Sequence, residues 1–116
     1  MGELSNIIIG GRTIIRCQTK TLDALASEAN MSRIDLLKLD VQGAEHLVLK
    51  GGKTILTSTF MIWTEISFKP LYEKSSDFFE IYKILSSIGF KLMEIEPGFR
   101  GADGELLQAD ALFVRN

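Results

Sequence analysis

Hydrophobic and polar positions change period several times along this chain. Residues 6–17, NIIIGGRTIIRC, hold two β-branched runs around Gly10-Gly11. That predicts a hairpin, because glycine takes the positive φ of a tight primed turn at no steric cost. Thr21 can cap a helix over residues 21–29, with Asp23 at the positive end of its dipole and Asn30 closing it. IDLLKLDV (34–41) is a short apolar strand. Residues 44–50 then place Ala44, Leu47 and Val48 at helical spacing ahead of the breaker Gly51-Gly52, and 54–57 add a turn. FMIWTEIS (60–67) is a second apolar strand that ends near Glu65. Beyond a loop started by Pro70, Phe78, Ile81, Tyr82, Leu85 and Ile88 form one stripe of a helix over 77–87, with Gly89 just past its end. Residues 90–96 alternate, with Phe90, Leu92, Glu94 and Glu96 on one face and Lys91, Met93 and Ile95 on the other. The loop PGFRGADG leads to a last strand, ADALFVR.

Buried strands alternating with helices imply an α/β layer with a mainly parallel sheet. The final two strands are joined by a loop too short and glycine-rich for a crossover helix, so they form an antiparallel pair. At 116 residues the chain is one small domain, and its net charge of −2 gives no whole-protein field toward nucleic acid or anionic lipid. Cys17 is the single cysteine, which excludes an intrachain disulfide and a cysteine zinc site and suits a reducing cytoplasm. No apolar run approaches the roughly 20 residues of a membrane span, and MGELSN lacks the regions of a signal peptide.

The chemistry gathers at strand ends. In open parallel sheets ligands bind beyond the carboxyl ends of the strands. Asp40 and Glu65 end two successive strands, and if those are neighbours their carboxylates share one edge. Lys38 precedes Asp40 by two residues and so shares its face, either as a structural ion pair or as part of a site. Gly43 allows a tight turn out of the strand, and Glu45 in the first helical turn serves capping or a ligand. His46 is the only histidine, too little for a metal site, and none is expected. Trp63 and the Phe78 stripe read as core. No Ser-His-Asp order, Walker loop or G-x-G-x-x-G turn is present.

TLDAL (21–25), IDLLKLDVQGAEHLVLKGG (34–52), IWTEIS (62–67), SSIGFKL (86–92) and QADALFV (108–114) together resemble the FkbM-type methyltransferases. The likeness covers residues 19–115, with 6–17 as an added hairpin, and its most specific part is K-x-D-V-Q-G-A-E followed by L-K-G. The resemblance implies the carboxyl-terminal part of a Rossmann-like methyltransferase sheet. It implies S-adenosylmethionine as cofactor in intact relatives and a hydroxyl of a sugar or natural product as acceptor. Asp40, Glu65 and Lys38 then become the catalytic candidates, and Asp40, Val41, Gly43 and Glu45 the cofactor-binding ones. In an intact relative a preceding half carries the glycine-rich loop and the acidic residue for the ribose. This chain shows neither, so it looks like a carboxyl-terminal half that offers at most part of the adenine and substrate side.

Two further readings stand beside this one. The first is a non-catalytic remnant or interaction module with the methyltransferase fold. The second is a receiver-like phosphoacceptor, suggested by LLKLDVQG and Lys69-Pro70 but lacking the acidic pair such a domain needs. Partners on the methyltransferase reading are a small-molecule or glycan substrate, without nucleic acid or membrane. The strand 34–41 would lack its usual neighbour and invite a second copy or the missing amino-terminal half.

Overall fold

The computed structural model describes residues 3–9, 13–41, 43–69 and 77–116, with side chains from residue 20 onward. Strands β1 (Glu3–Ile9) and β2 (Thr13–Thr19) pair antiparallel as a sheet of their own, with Ile7 opposite Ile15. They are the expected hairpin, longer by a few residues at each end; its Gly10-Gly11 turn lies outside the described residues. Helix α1 (Leu22–Glu28) is capped by Thr21, whose hydroxyl accepts from the Ala24 N–H at 3.1 Å. Asn30 closes it in the left-handed region at φ 54°.

Next come β3 (Ile34–Leu39), α2 (Glu45–Lys50), a short 3-10 helix over Ile55–Ser58, and β4 (Thr59–Ser67). Helix α3 (Phe78–Ser87) has Asp77 as its cap and Gly89 beyond it at φ 95°. Strands β5 (Phe90–Pro97) and β6 (Gln108–Arg115) complete a four-stranded sheet of order β3-β4-β6-β5. The Pro70 loop lies outside the described residues.

The sheet is mixed rather than mainly parallel. β3 pairs parallel with β4, but β6 lies between β4 and β5 and runs against both. β3, β4 and β5 do run the same way, as helical connections require. The short loop after β5 forces β6 to return alongside it, so only one of the pairings is parallel.

One face of this sheet is covered. Leu39 of β3, Ile62 and Ile66 of β4, Ala111 and Phe113 of β6 and Phe90 of β5 pack with Leu49 of α2 and with Ile81 and Leu85 of α3. Each fully buried Leu, Ile or Phe contributes about 1.5–3 kcal/mol of hydrophobic free energy. The opposite face carries the alternate residues: Leu36 and Lys38, Met61, Trp63 and Glu65, Asp110, Leu112 and Val114. Among the described residues no helix lies over it, and Leu36 is 52% exposed.

Three local expectations need correction. β3 stops at Leu39, so Asp40 and Val41 stand in the loop after it. In α2 the buried apolar side chain is Leu49 while Leu47 is exposed, because the stripe starts from the buried Glu45, which a search for apolar periodicity passes over. In β5 the alternation reverses after Leu92. A β-bulge leaves Met93 without a partner, so Ile95 faces Ala111 on the covered side, and Glu94 and Glu96 join Lys91 on the bare one.

Candidate active site

The carboxyl ends of β3 and β4 lie side by side, with Leu39 opposite Thr64. A pocket of about 200 Å³ opens there, lined by Lys38, Leu39, Asp40, Trp63, Glu65 and Asp110. It brings together Lys38, Asp40 and Glu65 from separate stretches of sequence. Lys38 and Asp40 share the pocket wall. Glu65 of β4 stands directly opposite Asp110 of β6. Burial first, and then the neighbouring carboxylates of Asp40, Glu45 and Asp110, raise its proton affinity above the ordinary carboxylate range. A carboxyl group so placed is a better base than a free one.

A larger hollow of about 450 Å³ opens at the other end of β3 and β4, lined by Ser32, Arg33, Ser58, Thr59, Phe60 and Arg115. It is shallow, and the Arg115 guanidinium there is already donated to the carbonyls of Thr59, Leu56 and Ile88. The smaller pocket, at the strand ends where parallel sheets hold ligands, is the chemically equipped one.

The loop between β3 and α2 is organised from inside. Gly43 has φ 95°, a conformation that disfavours any side chain. Glu45 is 3% exposed, and its carboxylate accepts from the N–H groups of Val41 at 3.2 Å and Gly43 at 3.1 Å. It clamps the preceding loop. The N–H groups of Val41 and Gly43 are therefore turned inward, while the Val41 side chain, 38% exposed, and the exposed Asp40 face outward. Gln42 lies outside the described residues. His46 has a buried Nδ1 without a hydrogen-bond partner among the described residues. No cluster of three or more His, Cys, Asp or Glu able to hold a metal forms among them.

The rest of the signature is a packing device. An added Cβ on Gly52 would lie 2.7 Å from Leu22 Cδ2, and one on Gly51 3.1 Å from Thr21 Cβ. The Asp23 N–H donates to the Gly51 carbonyl at 3.0 Å. The Asp23 carboxylate accepts from Thr54 N–H at 3.0 Å and Ile55 N–H at 2.8 Å. TLDAL and LKGG thus form one joint that seats α1 on the end of α2 and on the 3-10 helix.

The model of the methyltransferase FkbM domain matches residues 3–92. The chain belongs to the FkbM methyltransferase family. The match takes in β1 and β2 and ends inside β5. The chain is also 43% identical over 93 residues to the 2-O-methyltransferase NoeI of Sinorhizobium fredii (strain NBRC 101917 / NGR234), a match that takes in 80% of this chain and 37% of that protein. It therefore spans well under half of that relative's length. No solved structure matches it.

Within this FkbM domain, Lys38, Asp40, Val41, Gly43, Glu45 and Glu65 all fall inside the matched residues. Trp63 and Asp110 were missed as pocket residues. Trp63 sits in an apolar run, and Asp110 reaches the pocket only through the β4–β6 register. Lys69, which with LLKLDVQG suggested the receiver reading, is hydrogen-bonded to Glu105 at 2.7 Å.

Proposed function

We propose that this chain carries the acceptor side of a methyltransferase site, where S-adenosylmethionine methylates a hydroxyl of a sugar or natural product. The observation that supports this most is the meeting of Lys38, Asp40 and Glu65 in one pocket at adjacent strand ends of an FkbM domain. The order β3-β4-β6-β5, with β6 reversed, fits the carboxyl-terminal half of a Rossmann-like methyltransferase sheet.

S-adenosylmethionine, when bound, supplies an electrophilic methyl group. The described residues fit only part of it. Val41 and Asp40 offer an apolar side chain and a carboxylate beside the pocket, whereas the loop N–H groups are held by Glu45. Asp40 and Val41 would hold the cofactor's adenine side, and Gly43 and Glu45 would fix the loop that presents them. Glu65 would accept the proton that the acceptor hydroxyl gives up. Lys38 favours the developing negative charge on the hydroxyl oxygen, and Asp40 orients the acceptor. The reading places the chain in the cytoplasm, without nucleic acid or membrane. A second copy, or an amino-terminal half, completes the sheet along β3.

Calorimetric titration of the purified chain with S-adenosylmethionine is the test, with methyl transfer to acceptor sugars measured alongside. Saturable heat supports the reading. Its absence at high micromolar ligand favours a non-catalytic module of the same fold, for which the bare apolar sheet face around the exposed Leu36 is the supporting observation.

A further inference from the structure

We infer that Asp110 completes the acceptor end of this pocket: it holds the hydroxyl next to the one Glu65 engages. The inference rests on the methyltransferase reading for the role of Glu65. It adds a specificity-determining residue and narrows the acceptor to a small ring with two neighbouring free hydroxyls.

The placement comes from register. Trp63 and Glu65 are two residues apart on β4 and share its bare face. Across the β4–β6 pairing Trp63 stands opposite Leu112, and Glu65 opposite Asp110. One aromatic and two carboxylates therefore occupy adjoining positions on one wall, and all three line the same pocket.

The fold gives no structural reason for that arrangement. Like charges directly opposite each other on paired strands are destabilising. Neither carboxylate makes an ion pair or a side-chain hydrogen bond with another described residue, so their acceptor positions are unspent. Asp110 has Glu65 on one neighbouring strand and Glu96 of β5 on the other, a second like-charge opposition. Lys38 is the one cation among the described residues lining the pocket.

The chemistry selects the ligand. Ionised carboxylates only accept hydrogen bonds, so they suit a partner that donates two, side by side. They repel phosphate and carboxylate groups. The volume, about 200 Å³, is below the roughly 300 Å³ at which pockets for drug-sized ligands begin, and suits one ring.

Trp63 is the only tryptophan, so its emission reports on this pocket alone. The chain is titrated with methyl pyranosides that carry two free neighbouring hydroxyls, and with the matching deoxy sugars that lack one. The expected result is a saturable fluorescence change with the diol sugars and at least about tenfold weaker binding of the deoxy sugars, the loss of one hydrogen bond to a charged group. Asp110→Asn weakens diol binding by a similar factor while circular dichroism and the thermal midpoint hold. The inference is overturned by no saturable change at hundreds of millimolar sugar, by equal binding of diol and deoxy sugars, or by a change seen only with added divalent cation. The sugar comparison uses the unaltered chain and so does not depend on the variant folding. Sugar binding without S-adenosylmethionine binding would sink the methyltransferase reading; cofactor binding without sugar binding would sink this inference alone.

Discussion

Burial and three neighbouring carboxylates make ionised Glu65 costly to the fold. Its proton affinity is higher in the folded than in the unfolded chain. Stability from this group is therefore fully present below its unfolded titration range and is lost as pH rises through the folded one. Glu65→Gln removes the repulsion. It should raise stability at neutral pH by roughly 0.5–1 kcal/mol, the scale of an opposed like-charge pair, and flatten the decline from acidic toward neutral pH. Urea unfolding across that range measures both effects, and a destabilised variant would contradict the account. Asp23 behaves oppositely. Burial alone would raise it, but the Ile55 and Thr54 N–H groups outweigh burial and lower it, so its contribution is present at neutral pH and lost in acid. Asp23→Ala should cost about 0.5–2 kcal/mol, as for a lost helix cap, with the deficit shrinking at low pH. Asp40 and Glu65 were legible as a pair because strand ends in an α/β order predict where side chains converge. Trp63 was not, since an aromatic in an apolar run looks the same whether the face it occupies is covered or bare. Asp110 was not, because its partner is fixed by a register that no local pattern encodes.

At the scale of elements, the joint between α1 and the end of α2 decides how the helical layer sits. Thr21 and Leu22 lie against Gly51 and Gly52 with no room for a side chain. The sequence showed both segments as helix punctuation, Thr21 as a cap and Gly51-Gly52 as a breaker. It could not show that they touch, since contact between residues thirty apart depends on the path of β3 between them. Gly52→Ala forces Leu22 to move and should cost about 1–3 kcal/mol, the usual penalty for overpacking. A drop in the urea midpoint at unchanged slope would show it, and Leu22→Ala in the same chain should recover part of the loss. Glu45 is the same lesson in a charged residue. Its helix was predicted, but its carboxylate turned backwards onto the loop, burying an acid where the apolar pattern offered only Ala44, Leu47 and Val48. Glu45→Ala removes the acceptor that Val41 N–H and Gly43 N–H share, at about 1–3 kcal/mol. The loop that carries Asp40 should then exchange its amide protons faster than β4 does.

For the whole molecule the consequence lies on the side of the sheet that carries no helix among the described residues. β3 pairs with β4 alone among the described residues, which leaves its outer edge open, and the neighbouring face shows Leu36, Met61 and Trp63. A free edge with apolar neighbours is a template for another strand, and natural edges are blunted by lysine or proline. Lys38 is the one such residue in β3 itself, at the pocket end, so the stretch from Ile34 to Leu37 is the vulnerable part. The family resemblance already implied this edge, because in intact relatives the usual neighbour of this strand belongs to the preceding half. The exposed face was not legible, since alternation cannot say which of two apolar faces the helices will choose. The chain should therefore self-associate with rising concentration, a second copy taking the place along β3. Leu36→Lys adds a charge at the centre of the edge where the side chain is already half in solvent, so it should shift the sedimentation profile toward monomer and move the unfolding midpoint little. Amide exchange gives an independent reading: the β3 amides that point away from β4 should exchange fast in dilute solution and slow as the concentration rises. A Leu36→Lys chain that associates as strongly as the parent, with β3 amides unprotected throughout, would place the contact elsewhere.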